Sequence, residues 1–312
     1  MKDATTLLQA DLSGLDWEAW CEQLEDLAGD DGYCEPLGPD HAALLIEKKP
    51  TLLVTFETRT RIIAGSTSGQ PMAWPLIDAL GWSHMALFAK HDTWFRAPHV
   101  ISYFDRLIDD GFFDEFDQVL FYGAGSCGYA ACAFSVSAPG SHVLALQPQA
   151  TLSPHLARWD GRFVKERRRD FTSRFGYAPD MLEAADHAWI AYNPNSLLDA
   201  MHASLFARAN ATLIPARFMG NDLQDALLRT NLLYRMLAQM SSRKLTRESL
   251  AKLMRARRND GGYLTNLMLH LERGGQFQRM KTLCEAVLRE QELRPIRRGL
   301  IRANHALENS QE

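Results

Sequence analysis

The 312-residue chain is 46% hydrophobic and 23% charged, with a net charge of −4. These values exclude a disordered, collagen-like or low-complexity protein and leave room for one large domain or two ordinary ones. Its five cysteines, Cys21, Cys34, Cys127, Cys132 and Cys284, form an odd set without a CxxC pair, so neither a zinc ribbon nor a disulfide framework is expected. No metal or cofactor is predicted. The acidic N-terminal stretch MKDATTLLQADLSGLDWE lacks the apolar core of a signal peptide, and no run of about 18 apolar residues follows. The expectation is a reduced, cytoplasmic protein without membrane contact.

Charge is distributed unevenly. Residues 1–120 hold 8 Lys/Arg against 21 Asp/Glu, residues 121–157 hold none of either, and residues 217–302 hold 18 against 8. Either the acidic and basic halves face each other in one molecule, or the basic parts form a surface for an anion. Residues 1–40 read as a helical lead. LLVTF (52–56) then reads as a strand, WPLIDALG (74–81) as a short helix, MALFA (85–89) as a strand and VISYFDRLIDDG (100–111) as an amphipathic helix. The charge-free stretch is expected at the centre of the core. Within it QVLFYG (118–123) is a strand, YAACAFSVSA (129–138) a helix of small residues and HVLALQP (142–148) the next, parallel strand. AWIAYN (188–193) and ATLIPARF (211–218) continue the alternation around the helix LLDAMHASLFARA (197–209). Six strands alternating with helices predict a mostly parallel α/β sheet over about 41–222. From residue 223 onward only helical periodicity remains, which predicts a helical C-terminal extension over 223–312. Within that extension Gly275, Phe277, Met280, Leu283 and Leu288 match the spacing of one tetratricopeptide-type hairpin, and an ordinary helical hairpin fits equally.

The chemistry rests on one turn, F-Y-G-A-G-S-C-G (121–128). Gly123, Gly125 and Gly128 make a GxGxxG, which after a strand and before a helix can hold a pyrophosphate. Against that reading, earlier strands precede the turn, and the next strand ends in Gln147-Pro148-Gln149 rather than an acidic residue. The turn, its place in the strand order and the small-residue helix behind it resemble the nucleophile elbow of the α/β-hydrolase superfamily. The resemblance covers roughly 50–222 and implies a triad of nucleophile, acid and histidine. Two registers are open: Gly125 at the nucleophile position with Ser126 after it, or Ser126 itself as the nucleophile. The resemblance puts the acid at about Asp199, and Asn221 stands where the superfamily commonly has histidine. His202, three residues beyond Asp199, is the substitute base. A divergent hydrolase-like protein with an incomplete triad is therefore expected, acting in ligand or protein binding. The alternatives are an esterase or thioesterase using Ser126, and a nucleotide binder using the glycine turn. The insertion at 156–176 is rich in arginine and aromatic residues and reads as a lid. Gly125 and Cys127 of the turn, with Arg158, Arg162, Arg167, Arg168 and Arg169 of the lid, are the candidate binding groups for an anionic small molecule. No recognised nucleic-acid-binding motif accompanies them, so nucleic acid is not the expected partner.

Overall fold

The computed structural model describes residues 5–309. The chain divides into two compact units. One takes the residues up to Pro215 together with Leu237–Lys244; the other takes Ala216–Met236 and the residues from Leu245 onward.

The first unit is built on an eight-stranded sheet: β1 (Gly32–Pro36), β2 (His41–Ile46), β3 (Thr51–Thr58), β4 (Ser83–Ala89), β5 (Gln118–Ala124), β6 (His142–Leu146), β7 (His187–Tyr192) and β8 (Ala211–Pro215). The order is β1-β2-β4-β3-β5-β6-β7-β8. β2 runs antiparallel to β1 and β4, and every other pairing is parallel. β5 and β6 are adjacent and parallel as expected, with Leu120 opposite His142. Two strands exceed the six read from the sequence, and Gly32–Pro36 is an edge strand where a helical lead was expected. Glycine, Glu35 and Pro36 weaken its strand signal and suit an edge. β2, HAALLI, is masked by two alanines, which have low strand propensity.

The sheet is covered on both faces, so all eight residues of β3 are buried. On one face Val54 and Phe56 join Leu87, Phe121 and Val143 in the main core. Here Phe104 stacks on Phe134 at 4.3 Å, and Phe56 lies 5.7 Å from Phe134. Each such pair adds about 0.5–1.5 kcal/mol beyond the area it buries. On the other face Trp20, from the helix Trp17–Ala28, packs edge-on to Phe88 at 4.7 Å. The helix after β5, Ser126–Phe134, is buried along its whole length, which accounts for the missing charges. A Cβ on Gly128 would sit 3.1 Å from the Leu146 carbonyl oxygen, so the small residues let this helix lie close to the sheet.

The second unit ends in three helices, Gly261–Arg273, Phe277–Glu290 and Arg294–Glu308. The first two form a hairpin through Gly275, whose φ of 65° is in the glycine-favouring region. Leu264, Met268, Met280, Cys284, Val287, Ile296 and Ala303 fill the space between the three.

Candidate active site

The turn after β5 resolves the register left open by the sequence. β5 ends at Ala124, helical geometry begins at Ser126, and Gly125 lies between them at φ 61°, ψ −124°. The Gly125 N–H donates to the Leu146 carbonyl at 2.8 Å, and its carbonyl accepts from the Tyr129 N–H at 3.0 Å. Gly125 is thus the apex. Gly123 is a steric requirement of the same turn, because a Cβ there would meet the Cys127 carbonyl oxygen at 2.1 Å. A Cβ on Gly125 would meet nothing within 4 Å. The apex is open to a side chain and carries none.

A parallel sheet with an antiparallel start, and a positive-φ apex between its fifth strand and a buried helix, decide the architecture. The fold is that of the α/β hydrolases. No family model matches the chain, and no curated protein does. Several solved structures are similar to the chain at low likeness. Est1E from Butyrivibrio proteoclasticus is 15% identical over 68% of this chain and 100% of its own, with a TM-score of 0.42. An esterase of Pyrobaculum calidifontis is 12% identical over 78% and 98%, with a TM-score of 0.43. The capsule O-acetyltransferase of Neisseria meningitidis serogroup A is 11% identical over 70% and 98%, with a TM-score of 0.44.

In this hydrolase frame Ser126 is the residue after the apex. Its hydroxyl donates to Asp92 Oδ1 at 2.5 Å, from the loop after β4. Its backbone N–H lies in the first helical turn, where no intrahelical acceptor exists. That is the position from which the fold supplies an oxyanion donor. Cys127 is buried, and burial pushes its thiol well above the usual range, so it is not a thiolate at neutral pH.

Asp199 and His202 belong to a different network. His202 Nδ1 accepts from the Ala150 N–H at 3.2 Å, which puts the ring proton on Nε2, and Nε2 donates to Asp160 Oδ2 at 2.9 Å. Trp159 lies against the imidazole at 4.5 Å. His202 is fully buried, and burial lowers its pKa although Asp160 opposes the shift. Asp199 accepts from Arg162 Nη1 at 2.6 Å and from Gln147 Nε2 at 2.8 Å. Arg162 also forks onto Asp160, donating from Nε at 3.0 Å and from Nη2 at 2.8 Å. Burial pushes the Asp160 carboxyl up, but the bonds from Arg162 and His202 outweigh it and hold the group below its ordinary value. Asp199 and His202 therefore meet through Arg162 and Asp160. Among the described residues no hydrogen bond joins either of them to Ser126.

The lid arginines are mostly engaged within the lid. Arg162 is held as above, Arg167 donates to the carbonyls of Ala157, Arg158 and Asp160, and Arg169 pairs with Glu166 at 2.6 Å. Arg158 and Arg168 are exposed. The lid lies over the carboxyl ends of the strands: Phe163 packs on Trp94 at 4.9 Å, and Arg96 donates to the Asp170 carbonyl at 2.6 Å. Backbone strain collects at the same edge. Trp94 (φ 52°), Phe95 (φ 54°) and Gln147 (φ 49°) are non-glycine residues in the left-handed region, at about 1–3 kcal/mol each.

Three acidic residues of this region carried no motif in the sequence. Asp92 sits in KHDTW after a buried strand, and Asp160 is flanked by Arg158 and Arg162 in RWDGR. Glu57 is the penultimate residue of β3; its buried carboxyl is pushed up to about 7 by desolvation while accepting the Met72 N–H at 3.1 Å. Of the three only Glu57 had a legible signal, a carboxylate inside an otherwise uncharged, buried strand. Among the described residues no group of side chains has the makings of a metal site, and no helix is long and apolar enough to cross a membrane.

Proposed function

We propose that this chain is a non-hydrolytic protein of α/β-hydrolase fold that works by binding a ligand or a protein rather than by turning over an ester. The observation that carries the reading is Gly125 at the elbow apex, with no side chain to attack a carbonyl. The histidine nearest the expected base is committed elsewhere. Both ring nitrogens of His202 are bonded, and its carboxylate partner Asp160 is also held by Arg162. A triad needs its base within reach of the nucleophile, and loss of one member leaves only oxyanion-hole and binding effects, on the order of 10³–10⁴ over water. The first-turn N–H groups behind the apex and the strained carboxyl edge are features of a binding site without attached chemistry. Small anions are the ligand class that those donors and the lid cations Arg158 and Arg168 fit. A panel of short-chain esters and thioesters tests this: turnover stays at background for wild type, Ser126→Ala and His202→Ala alike.

A second reading has one observation in its favour, the 2.5 Å bond from the Ser126 hydroxyl to Asp92. A carboxylate so placed can accept the serine proton, making Ser126 the nucleophile of an esterase with Asp92 as its base. Wild-type turnover well above background, abolished by both Ser126→Ala and Asp92→Asn, selects this reading over the first.

A further inference from the structure

The second unit has a cationic end that neither the fold nor the proposed binding function uses. Its three terminal helices have a defined register. A Cβ on Gly261 would touch Leu293, one on Gly299 would touch Met268, and Arg302 pairs with Glu272. The first and third helices are therefore parallel, and their amino ends meet the carboxyl end of the second. Arg255, Arg257 and Arg258 stand there just before the first helix, Arg289 at the end of the second, and Arg294, Arg297 and Arg298 at the start of the third.

Two of these are engaged: Arg297 pairs with Glu292 at 2.6 Å, and Arg257 lies over the Tyr263 ring at 5.1 Å. Arg255, Arg258, Arg289, Arg294 and Arg298 are exposed, and among the described residues none has an acidic partner. The other acids nearby are Asp260, which caps the first helix and pairs with Arg229, and Glu290. Neither the first nor the third helix has an acid in its first turn. Helix amino ends favour anions, so cations gathered there oppose the helix dipole. Local preferences broken in this way mark sites kept for a purpose other than folding.

The third helix adds an apolar group. Ile301 is 65% exposed, three residues from Arg298 and seven from Arg294, and so on the same helical face. Phosphates would satisfy the arginines and leave Ile301 unused. Carboxylates interspersed with apolar side chains satisfy both.

We propose that the face formed by Arg294, Arg298 and Ile301, with Arg255, Arg258 and Arg289 beside it, docks an acidic protein segment carrying apolar residues between its carboxylates. Full-length protein is titrated against three fluorescein-labelled probes: a 16-residue Glu peptide with leucine at every fourth position, its Leu→Ser counterpart, and a 20-base-pair DNA duplex. The leucine peptide binds tightest. Arg294→Glu with Arg298→Glu weakens it by about tenfold or more, and Ile301→Ser reduces it to the level of the serine peptide. Matching melting curves show that the variants fold; where charge reversal melts early, Arg294→Gln with Arg298→Gln reads the same effect. No binding of the leucine peptide, binding indifferent to the arginine changes, or duplex bound as tightly as peptide each overturns the proposal.

Discussion

Asp160 is the most consequential side chain of the lid, and its removal gives a quantitative test. It is about 1% exposed and accepts from the Arg162 backbone, from the Arg162 guanidinium and from His202 Nε2. Asp160→Ala leaves the His202 N–H buried without an acceptor and leaves Arg162 with Asp199 alone. Breaking a buried pair from one side costs about 3–5 kcal/mol, a large share of the roughly 5–15 kcal/mol that stabilises a typical domain. Asp160→Asn keeps the size and one acceptor and should cost less, about 1–3 kcal/mol. The pH dependence has a definite sign. The folded-state carboxyl is held below 3.8, so its contribution is complete above that value and is lost as pH falls through the lower, folded value. The deficit of Asp160→Asn therefore shrinks below about pH 4. Urea unfolding at pH 7, followed by tryptophan fluorescence, measures the loss, and trypsin cleavage within 154–176 reports the freed lid. An Asp160→Ala protein within 1 kcal/mol of wild type and equally resistant to trypsin would refute the reasoning.

Other substitutions probe the elbow and the core. Gly123→Ala drives a Cβ to 2.1 Å from the Cys127 carbonyl and should prevent or severely weaken folding, whereas Gly125→Ala meets no neighbour and costs only the strain of positive φ, about 1–3 kcal/mol. Equal melting temperatures for the two variants would contradict the assigned apex. Glu57 titrates at about 7 in the folded chain against an ordinary 4.5, so its burial weakens folding by about 3 kcal/mol above pH 7 and by progressively less down to pH 4.5. Glu57→Gln should accordingly be more stable than wild type above pH 7 and equal to it below pH 4.5; a constant difference across that range would show that ionisation is not the cause.

What could be read from the sequence followed the strength of the local signal. The end of β5, the helix behind it and β6 were visible because a 37-residue stretch without charge has only one place to go, and β3, β4, β7 and β8 because each is a short apolar run alternating with helical segments. β1 and β2 were not, since a proline-terminated edge and an alanine-rich strand give little period-2 contrast. The elbow was recognisable as a turn, but its register was not: G-A-G-S-C-G fits two alignments, and only the backbone of Gly125 separates them. Asp199 and His202 were picked out by chain order. Their bonds run to Arg162 and Asp160 of the lid and to Gln147 and Ala150 just after β6, partners whose placement no spacing rule predicts. The same is true of Asp92 beside Ser126, which is 34 positions away in the chain.

The claim that the elbow apex carries no nucleophile is tested most directly by intact-protein mass spectrometry after incubation with a fluorophosphonate, which phosphonylates an activated serine. Wild-type protein is predicted to keep its unmodified mass, because Gly125 offers no side chain and His202 is bonded to Asp160 and Ala150. A stoichiometric adduct located on Ser126, absent from Ser126→Ala, would contradict it.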